Sequence, residues 1–314
     1  WSEVYGYTYQ AQAARFASDP AEQRHTYVAV AADGTVLSTL HYRLSRRRDA
    51  TGAPRLVGEV DSVTTRADAR RQGHATRLLR MALDALRRDG CDWSLLVATE
   101  DGRPLYERYG WRCYGEPWRR GTILGELPRT TGAFVVRPYD PLSASEGWDP
   151  IAAVDVAFNR RRPLTVVRNA AYWRGYAALR VGTWIATEGL VIFAAFRGAA
   201  DPRALGYAMA EFYPDAFQVR DIGALPEEAG VPLALLTAIA AEARRRGIPL
   251  AGRMYLPQEP PIDAALDRLF GPTLHAGQDD GHLMARPIAS GFTEQQLDAI
   301  FTAPDAHFSA IDLF

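Results

Sequence analysis

Six consecutive residues, Arg70-Arg71-Gln72-Gly73-His74-Ala75, have the types and order needed to hold a diphosphate. They stand between an alternating run, Val60 to Thr65, that reads as a strand, and a helical pattern in which Ala75, Leu78, Leu79, Ala82, Leu83 and Leu86 share one face. A glycine-containing turn at the start of a helix leaves backbone N–H groups without intrahelical partners. Those donors, with the positive end of the helix dipole, favour an anion. Arg70 and Arg71 add full charges beside the same spot. Gly73 removes a side chain where a bulky ligand must come close, and Ala75 keeps the first turn slim. His74 suits a phosphate neighbour or a solvated first-turn residue equally well. The pattern is neither GxxxxGK[ST] nor GxGxxG, which excludes a Walker A loop and a dinucleotide fingerprint.

The elements that must position this loop can be read on either side of it. The helix carries Arg87 and Arg88 in its last turn, and Gly90 is placed to end it. Trp93 to Ala98 reads as a buried strand, Thr99-Glu100-Asp101-Gly102 breaks it, and Pro104 opens a short helix that stops at Gly110. Upstream, Trp1 to Ala17 looks helical. Thr26 to Ala32 and Thr35 to Leu44 read as a hairpin about Asp33-Gly34. Arg46 to Pro54 is expected as a polar loop. Downstream, Trp118 to Leu127 is expected to close the first domain, and Leu127 to Gly132 reads as a linker.

At this point the sequence resembles the Gcn5-related N-acetyltransferase (GNAT) superfamily. Arg70 to Ala75 fits its Gln/Arg-x-x-Gly-x-Gly/Ala signature, and Leu105-Tyr106-Glu107-Arg108-Tyr109-Gly110-Trp111 fits its Tyr-x-x-x-Gly-aromatic pattern. The two in this order, with a helix and a strand between them, carry the resemblance. It implies an acetyl-CoA site, with acetyl-CoA as co-substrate and no metal. The backbone of Val63, Thr64 and Thr65 would follow the pantetheine. Arg70, Arg71, Gln72, Gly73, His74 and Ala75 would surround the diphosphate, and Thr76, Thr99 and Glu100 would also bind the cofactor. A GNAT domain usually begins with a strand, so the helical look of Trp1 to Phe16 suggests that this first strand is missing.

Acetyl transfer to an amine needs a neutral nucleophile, a polarised carbonyl and a proton for the departing thiolate. The resemblance gives Tyr106 the last role, which a phenol of reference pKa about 10 can fill at neutral pH; otherwise Tyr106 reads as a core aromatic. Three groups could take the amine proton. Glu59 lies fourteen residues before Gly73, a spacing like that of the glutamate base of histone-type members. Asp61 shares its strand face. The third is the terminal carboxylate of Phe314, because the double-domain layout and the aromatic terminus look like the Eis family, whose members use that carboxylate as base. Eis proteins also carry a sterol-carrier-like domain, for which this chain is too short.

The second half repeats the first. A shift of 157 residues carries Gly73 onto Gly230, Leu78-Leu79 onto Leu235-Leu236, Arg87-Arg88 onto Arg244-Arg245 and Gly90 onto Gly247. The copy has Glu227 and Glu228 where the first half has Arg70 and Arg71, and Pro232 where it has Ala75. Two carboxylates repel a diphosphate. The expected fold is α/β (α+β), two tandem GNAT-like domains with mixed, mostly antiparallel sheets flanked by helices, the second degenerate. Residues 1–127 would be the catalytic domain, 128–132 a linker, 133–288 the degenerate domain, and 289–314 a tail packing near the active site.

Bulk properties narrow the function. Thirty-six Lys and Arg against 37 Asp and Glu give a net charge of −1, so nothing points to nucleic acid or a membrane surface. The clusters Arg46-Arg47-Arg48, Arg160-Arg161-Arg162 and Arg244-Arg245-Arg246 read as solvated helix ends and loops. Cys91 and Cys113 make no disulfide framework, so a cytoplasmic protein is expected. No apolar run approaches the roughly 20 residues that span a bilayer. The reaction expected is acetylation of a primary amine on a small molecule such as an aminoglycoside, amino sugar or natural product. A protein lysine or N-terminal acetyltransferase and a non-enzymatic acyl-CoA-binding module are the alternatives. Homo-oligomer formation is left open.

Overall fold

A computed structural model describes residues 25–123, 125–128, 133–199 and 201–312. The expected helix over Trp1 to Ala17, most of the linker and Phe314 lie outside the described residues.

The hairpin forms as read. Strands β1 (Thr26–Val30) and β2 (Val36–Arg48) pair antiparallel. Gly34 has φ +88°, and the Asp33 carboxylate accepts from Thr35 N at 2.9 Å, so the turn closes on itself. Strand β3 (Pro54–Thr65) pairs with β2 along nearly its whole length. Helix α1 (His74–Arg88) follows, then β4 (Trp93–Val97), the short helix α2 (Arg103–Arg108) and β5 (Arg112–Cys113). The apolar stripe of α1 buries Leu78, Leu79, Leu83 and Leu86, each contributing on the order of 1.5–3 kcal/mol. Gly90, at φ +76°, ends it.

The first half ends with β6 (Glu116–Thr122), and the second supplies β7 (Val135–Pro138), α3 (Asp149–Phe158), a helical stretch from Ala170 with a π-helix over Trp173–Val181, and β8 (Val191–Phe196). Then come β9 (Ala204–Phe212), β10 (Phe217–Ala224), α4 (Val231–Arg245), β11 (Leu250–Met254), α5 (Pro260–Phe270), β12 (His275–Asp279), β13 (Leu283–Pro287) and α6 (Glu294–Phe301). The 157-residue shift carries the described bounds of α1 onto those of α4 and the bounds of β4 onto those of β11.

The chain builds two mixed sheets flanked by helices. One has the order β1-β2-β3-β4-β13-β5, the other β12-β6-β11-β10-β9-β8-β7. Each half therefore lends a strand to the other. β13 pairs with β4 and β5 of the first sheet, and β6 pairs with β11 and β12 of the second. This corrects the expectation that Trp118 to Leu127 closes the first sheet: Glu116–Thr122 is a second-sheet strand, and β13 takes the place beside β4. Local pattern identifies a strand but not its partner, because register is set by the apolar face it meets.

Alternate residues of the first sheet enter different cores. Leu96 and Met284 join the α1 side chains, whereas Val57, Leu95 and Leu283 pack with Leu164, Leu297, Ile300 and Phe308 on the opposite face. That second face is closed by α6 and the tail. Two arginine clusters are also corrected. β2 runs through Arg48, and Arg47 is 0 % exposed. Arg47 donates to Glu59 at 2.6 Å and to Leu164 O at 3.0 Å. Arg162 is likewise buried, donating to Asn159 and Glu259. Arginine runs read as solvated because their partners lie outside the run; Arg46, Arg160, Arg161 and all of Arg244 to Arg246 are exposed, whereas Arg47, Arg48 and Arg162 are buried.

Candidate active site

β3 and β4 run parallel but pair only from Val57–Trp93 to Glu59–Leu95. Beyond Glu59 the two strands part. Among the described residues the β4-facing backbone of Val60 to Thr65 then has no ladder partner, while β2 still holds the other edge. Ser38 Oγ donates to Thr64 O at 2.7 Å and Thr39 Oγ to Ser62 O at 3.0 Å. Ser62 has φ +53° at the point where the β2–β3 register slips. A non-glycine residue held there is strained, and such strain gathers at functional sites.

The loop from β3 into α1 lies just past this opening. Arg71 at φ +64° and Gly73 at φ +81° are both left-handed, so the turn aims successive N–H groups outward. The first carbonyl used by α1 is Gly73 O, accepting from Arg77 N at 3.0 Å, so the donors before it have no intrahelical partner. A Cβ built on Gly73 would meet nothing within 4 Å. A recess of about 150 Å³ opens here, lined by Thr65, Arg70, Arg71, Gly73, His74 and Ala75. Among the described residues both buried ring nitrogens of His74 have no hydrogen-bond partner. An open cradle with outward donors, two guanidinium groups and an unpaired imidazole fits a diphosphate.

Other expected residues fall around this recess. Thr76 lines it too, while the Gln72 amide turns back to Asp68 O at 3.1 Å. Val63 packs against the α1-side core, and Thr64 Oγ bonds Thr39 Oγ. Thr99 holds the start of α2, its carbonyl accepting from Arg103 N at 2.9 Å, and Glu100 is exposed beside it. Tyr106 is 8 % exposed, on the α1 side of the sheet, edge-on to Trp111 at 6.2 Å. Tyr109 is pinned at the surface by Arg80.

Glu59 is placed differently from a base. It is 0 % exposed, with its carboxylate accepting from Arg43, Ser45 and Arg47. Burial works against its charge, but Arg43 and Arg47 overcome this and hold it below the ordinary carboxylate range. A carboxylate so engaged ties β2 to β3 and is ill suited to take a proton. Asp61 stands opposite His41 in the strand register. Phe314 lies outside the described residues, but the chain leading to it is tightly held. Asp312 is 1 % exposed, paired with Arg168 at 2.9 Å and with Tyr172 at 2.7 Å, and its carbonyl accepts from Arg43 at 2.8 Å. The tail thus reaches the guanidinium that also binds Glu59 in β3. Sequence reading missed both this clasp and Glu116, a mostly buried carboxylate lining a cavity between the sheets. Neither has a local signal, because the groups that face each come from other parts of the chain.

Residues 1–114 match the family model described as an acetyltransferase (GNAT) domain. Over those residues the chain is similar to a GNAT domain. The two-sheet fold also has solved counterparts. The chain is similar to a GCN5-related N-acetyltransferase from Kribbella flavida at 15% identity and TM-score 0.65, over 91% of this chain and 66% of that one. It is similar to Eis1 from Mycobacterium abscessus at 18% identity and TM-score 0.54, covering 84% and 64%. A tandem GNAT protein from the clavulanic acid biosynthesis pathway matches at 14% identity and TM-score 0.51, covering 85% of each. At these identities the likeness is one of fold. The chain spans about two thirds of the length of the Kribbella and Eis1 chains. No curated protein matches the sequence. Among the described residues no helix is long and apolar enough to cross a membrane, and no group of three or more His, Cys, Asp or Glu side chains could hold a metal.

Proposed function

We propose that this chain is an acetyl-CoA-dependent N-acetyltransferase acting on a primary amine of a small molecule by direct transfer. The observation that carries the reading is the left-handed pair Arg71 and Gly73, opening into α1 beside the point where β3 and β4 part. In this reading the loop residues Arg70 to Ala75 grip the diphosphate, and the unpaired backbone of Val63 to Thr65 receives the pantetheine. An N–H of that strand polarises the thioester carbonyl. The amine nitrogen attacks the carbonyl carbon, the C–N bond forms, and the C–S bond breaks. The departing thiolate takes the Tyr106 phenol proton. The amine gives its proton to a carboxylate other than Glu59, which is already bound by two arginines.

An amine panel with acetyl-CoA and free-thiol detection, run beside Tyr106→Phe, tests this. Turnover is expected with some amino sugar, aminoglycoside or polyamine. The variant is expected to lose about 10²-fold or more in kcat while keeping its acetyl-CoA affinity. An undiminished rate removes Tyr106 as the acid. Absence of both thiol release and acetyl-CoA binding removes the reading altogether.

A further inference from the structure

The larger cavity holds about 310 Å³ and lies on the face of the first sheet opposite α1. Its walls come from three separate parts of the chain. Tyr114 and Glu116 precede and begin β6, Gln258 and Gln278 come from the second half, and Phe301 and Phe308 from the tail. Tyr114 and Phe301 stack at 4.0 Å between ring centres, which makes one wall flat and rigid.

Glu116 is the unbalanced group in it. Among the described residues its carboxylate has neither a hydrogen bond nor an ion pair. It stands directly across from Asp279 in the β6–β12 ladder. Asp279 is already satisfied, bound by Arg253 at 2.7 and 3.0 Å and by the Tyr255 hydroxyl. Arg47, whose charge favours ionised Glu116, is committed to Glu59 and Leu164 O. Burial and Asp279 push the Glu116 carboxyl up to about 7. A mostly buried carboxylate facing a second one, with no cation of its own, is costly unless a ligand brings the charge.

We propose that this cavity binds the ammonium group of a compact polar amine, with Glu116 as its counter-ion. Gln258 and Gln278 border the ammonium site with amide groups. Gln278 spends one N–H on Asp280 at 2.7 Å, and its carbonyl has no protein donor among the described residues. The volume is at the small end of ligand pockets, which run roughly 300–1,000 Å³. It suits one amino-sugar ring or a short polyamine. That this amine is the acceptor rests on the acyl-transfer reading; that a cation binds beside Glu116 does not.

Calorimetry with putrescine and D-glucosamine, with N-acetylglucosamine as the uncharged control, tests the site on the whole chain. At pH 8 at least one amine is expected to bind and the control not to. Glu116→Gln, which keeps the shape, is expected to weaken binding tenfold or more. Putrescine keeps its charge from pH 6 to pH 8, since alkylammonium groups titrate near about 10. Glu116 takes up a proton as pH falls through about 7, so wild-type affinity for putrescine should fall several-fold from pH 8 to pH 6, and the variant should show no such slope. Gly115→Ala is the second variant. Its new Cβ would meet the Gln278 amide nitrogen at 1.6 Å and displace it, which should change glucosamine affinity with Glu116 untouched. Failure of both amines to bind, equal binding by Glu116→Gln, or a flat pH response in the wild type overturns the proposal. Amine binding without thiol release from acetyl-CoA would keep the cavity and sink the acyl-transfer reading. Acetylation of an amine that Glu116→Gln binds equally well would do the reverse.

Discussion

Helices α1 and α4 are copies in length and pattern, yet their first turns do opposite things. Each has 15 residues, follows a glycine, ends in two arginines, and is succeeded by a glycine at φ +76°. Before α1, Gly73 is left-handed and borders open space. Before α4, Gly230 has φ −82°, and a Cβ there would lie 2.9 Å from the Phe134 ring. Pro232 has removed a donor from the α4 first turn. Glu228 is bound to Arg197, and Glu227 lies 3.9 Å from Arg203. The same fold thus gives an open turn flanked by two arginines in one half and a closed, internally neutralised corner in the other. A helix N-terminus becomes a site only when the preceding turn leaves its donors exposed and the chain around it supplies positive charge.

The halves also spend charge differently. In the second half Arg168 is buried and pairs with Asp155, Asp221 and Asp312 at 2.8 to 2.9 Å. Its charges are a structural bolt joining helix, sheet and tail. Burial pushes Asp155 up to about 6, against the pull of Arg168. The largest effect is therefore expected there. Arg168→Ala should cost about 3–5 kcal/mol by leaving buried carboxylates uncompensated. The loss should shrink on acidification toward pH 5, as Asp155 takes up a proton. Denaturant titration at pH 8 and pH 5 reads both, and a variant as stable as wild type at pH 8 would mean that the bolt is ornamental.

The next effect separates the two turns directly. Gly73→Val forces a β-branched residue into left-handed backbone. It should weaken acetyl-CoA binding about 100-fold, close to 2.7 kcal/mol, while α1 still folds on its apolar stripe. Calorimetry that finds wild-type affinity would erase the distinction between the turns. The smallest effect is expected in the copy. Phe134→Ala unblocks Gly230 but restores neither the lost donor nor positive charge. The chain should still bind one acetyl-CoA, with unchanged affinity, by calorimetric stoichiometry. A second equivalent of bound ligand would show that Phe134 alone had closed the copy.

Much of this could be read from local sequence. The Arg70 to Ala75 loop, the bounds of α1 and β4, the helix Glu294–Phe301 and the 157-residue repeat all follow from apolar period, turn glycines and charge order. These are near-neighbour properties of the chain, so they survive without knowledge of the fold. The strand exchange did not follow, since β6 and β13 look alike as candidates for either sheet. Nor did the fate of Glu59, which has the spacing of a base but sits sealed beneath Arg43 and Arg47. Nor did Glu116, whose facing carboxylate comes from Asp279, far along the chain.

The sequence by itself determined which backbone segments could form and where one of them could hold an anion. Tertiary structure alone decided which ionisable side chains were left without a counter-ion. Secondary structure depends on residues a few positions apart, whereas the state of a carboxylate depends on burial and on charges brought to it across the fold. That is why two glutamates in similar strands, Glu59 and Glu116, came to opposite states: one held charged below its ordinary range, the other pushed up to about 7 at the edge of a cavity.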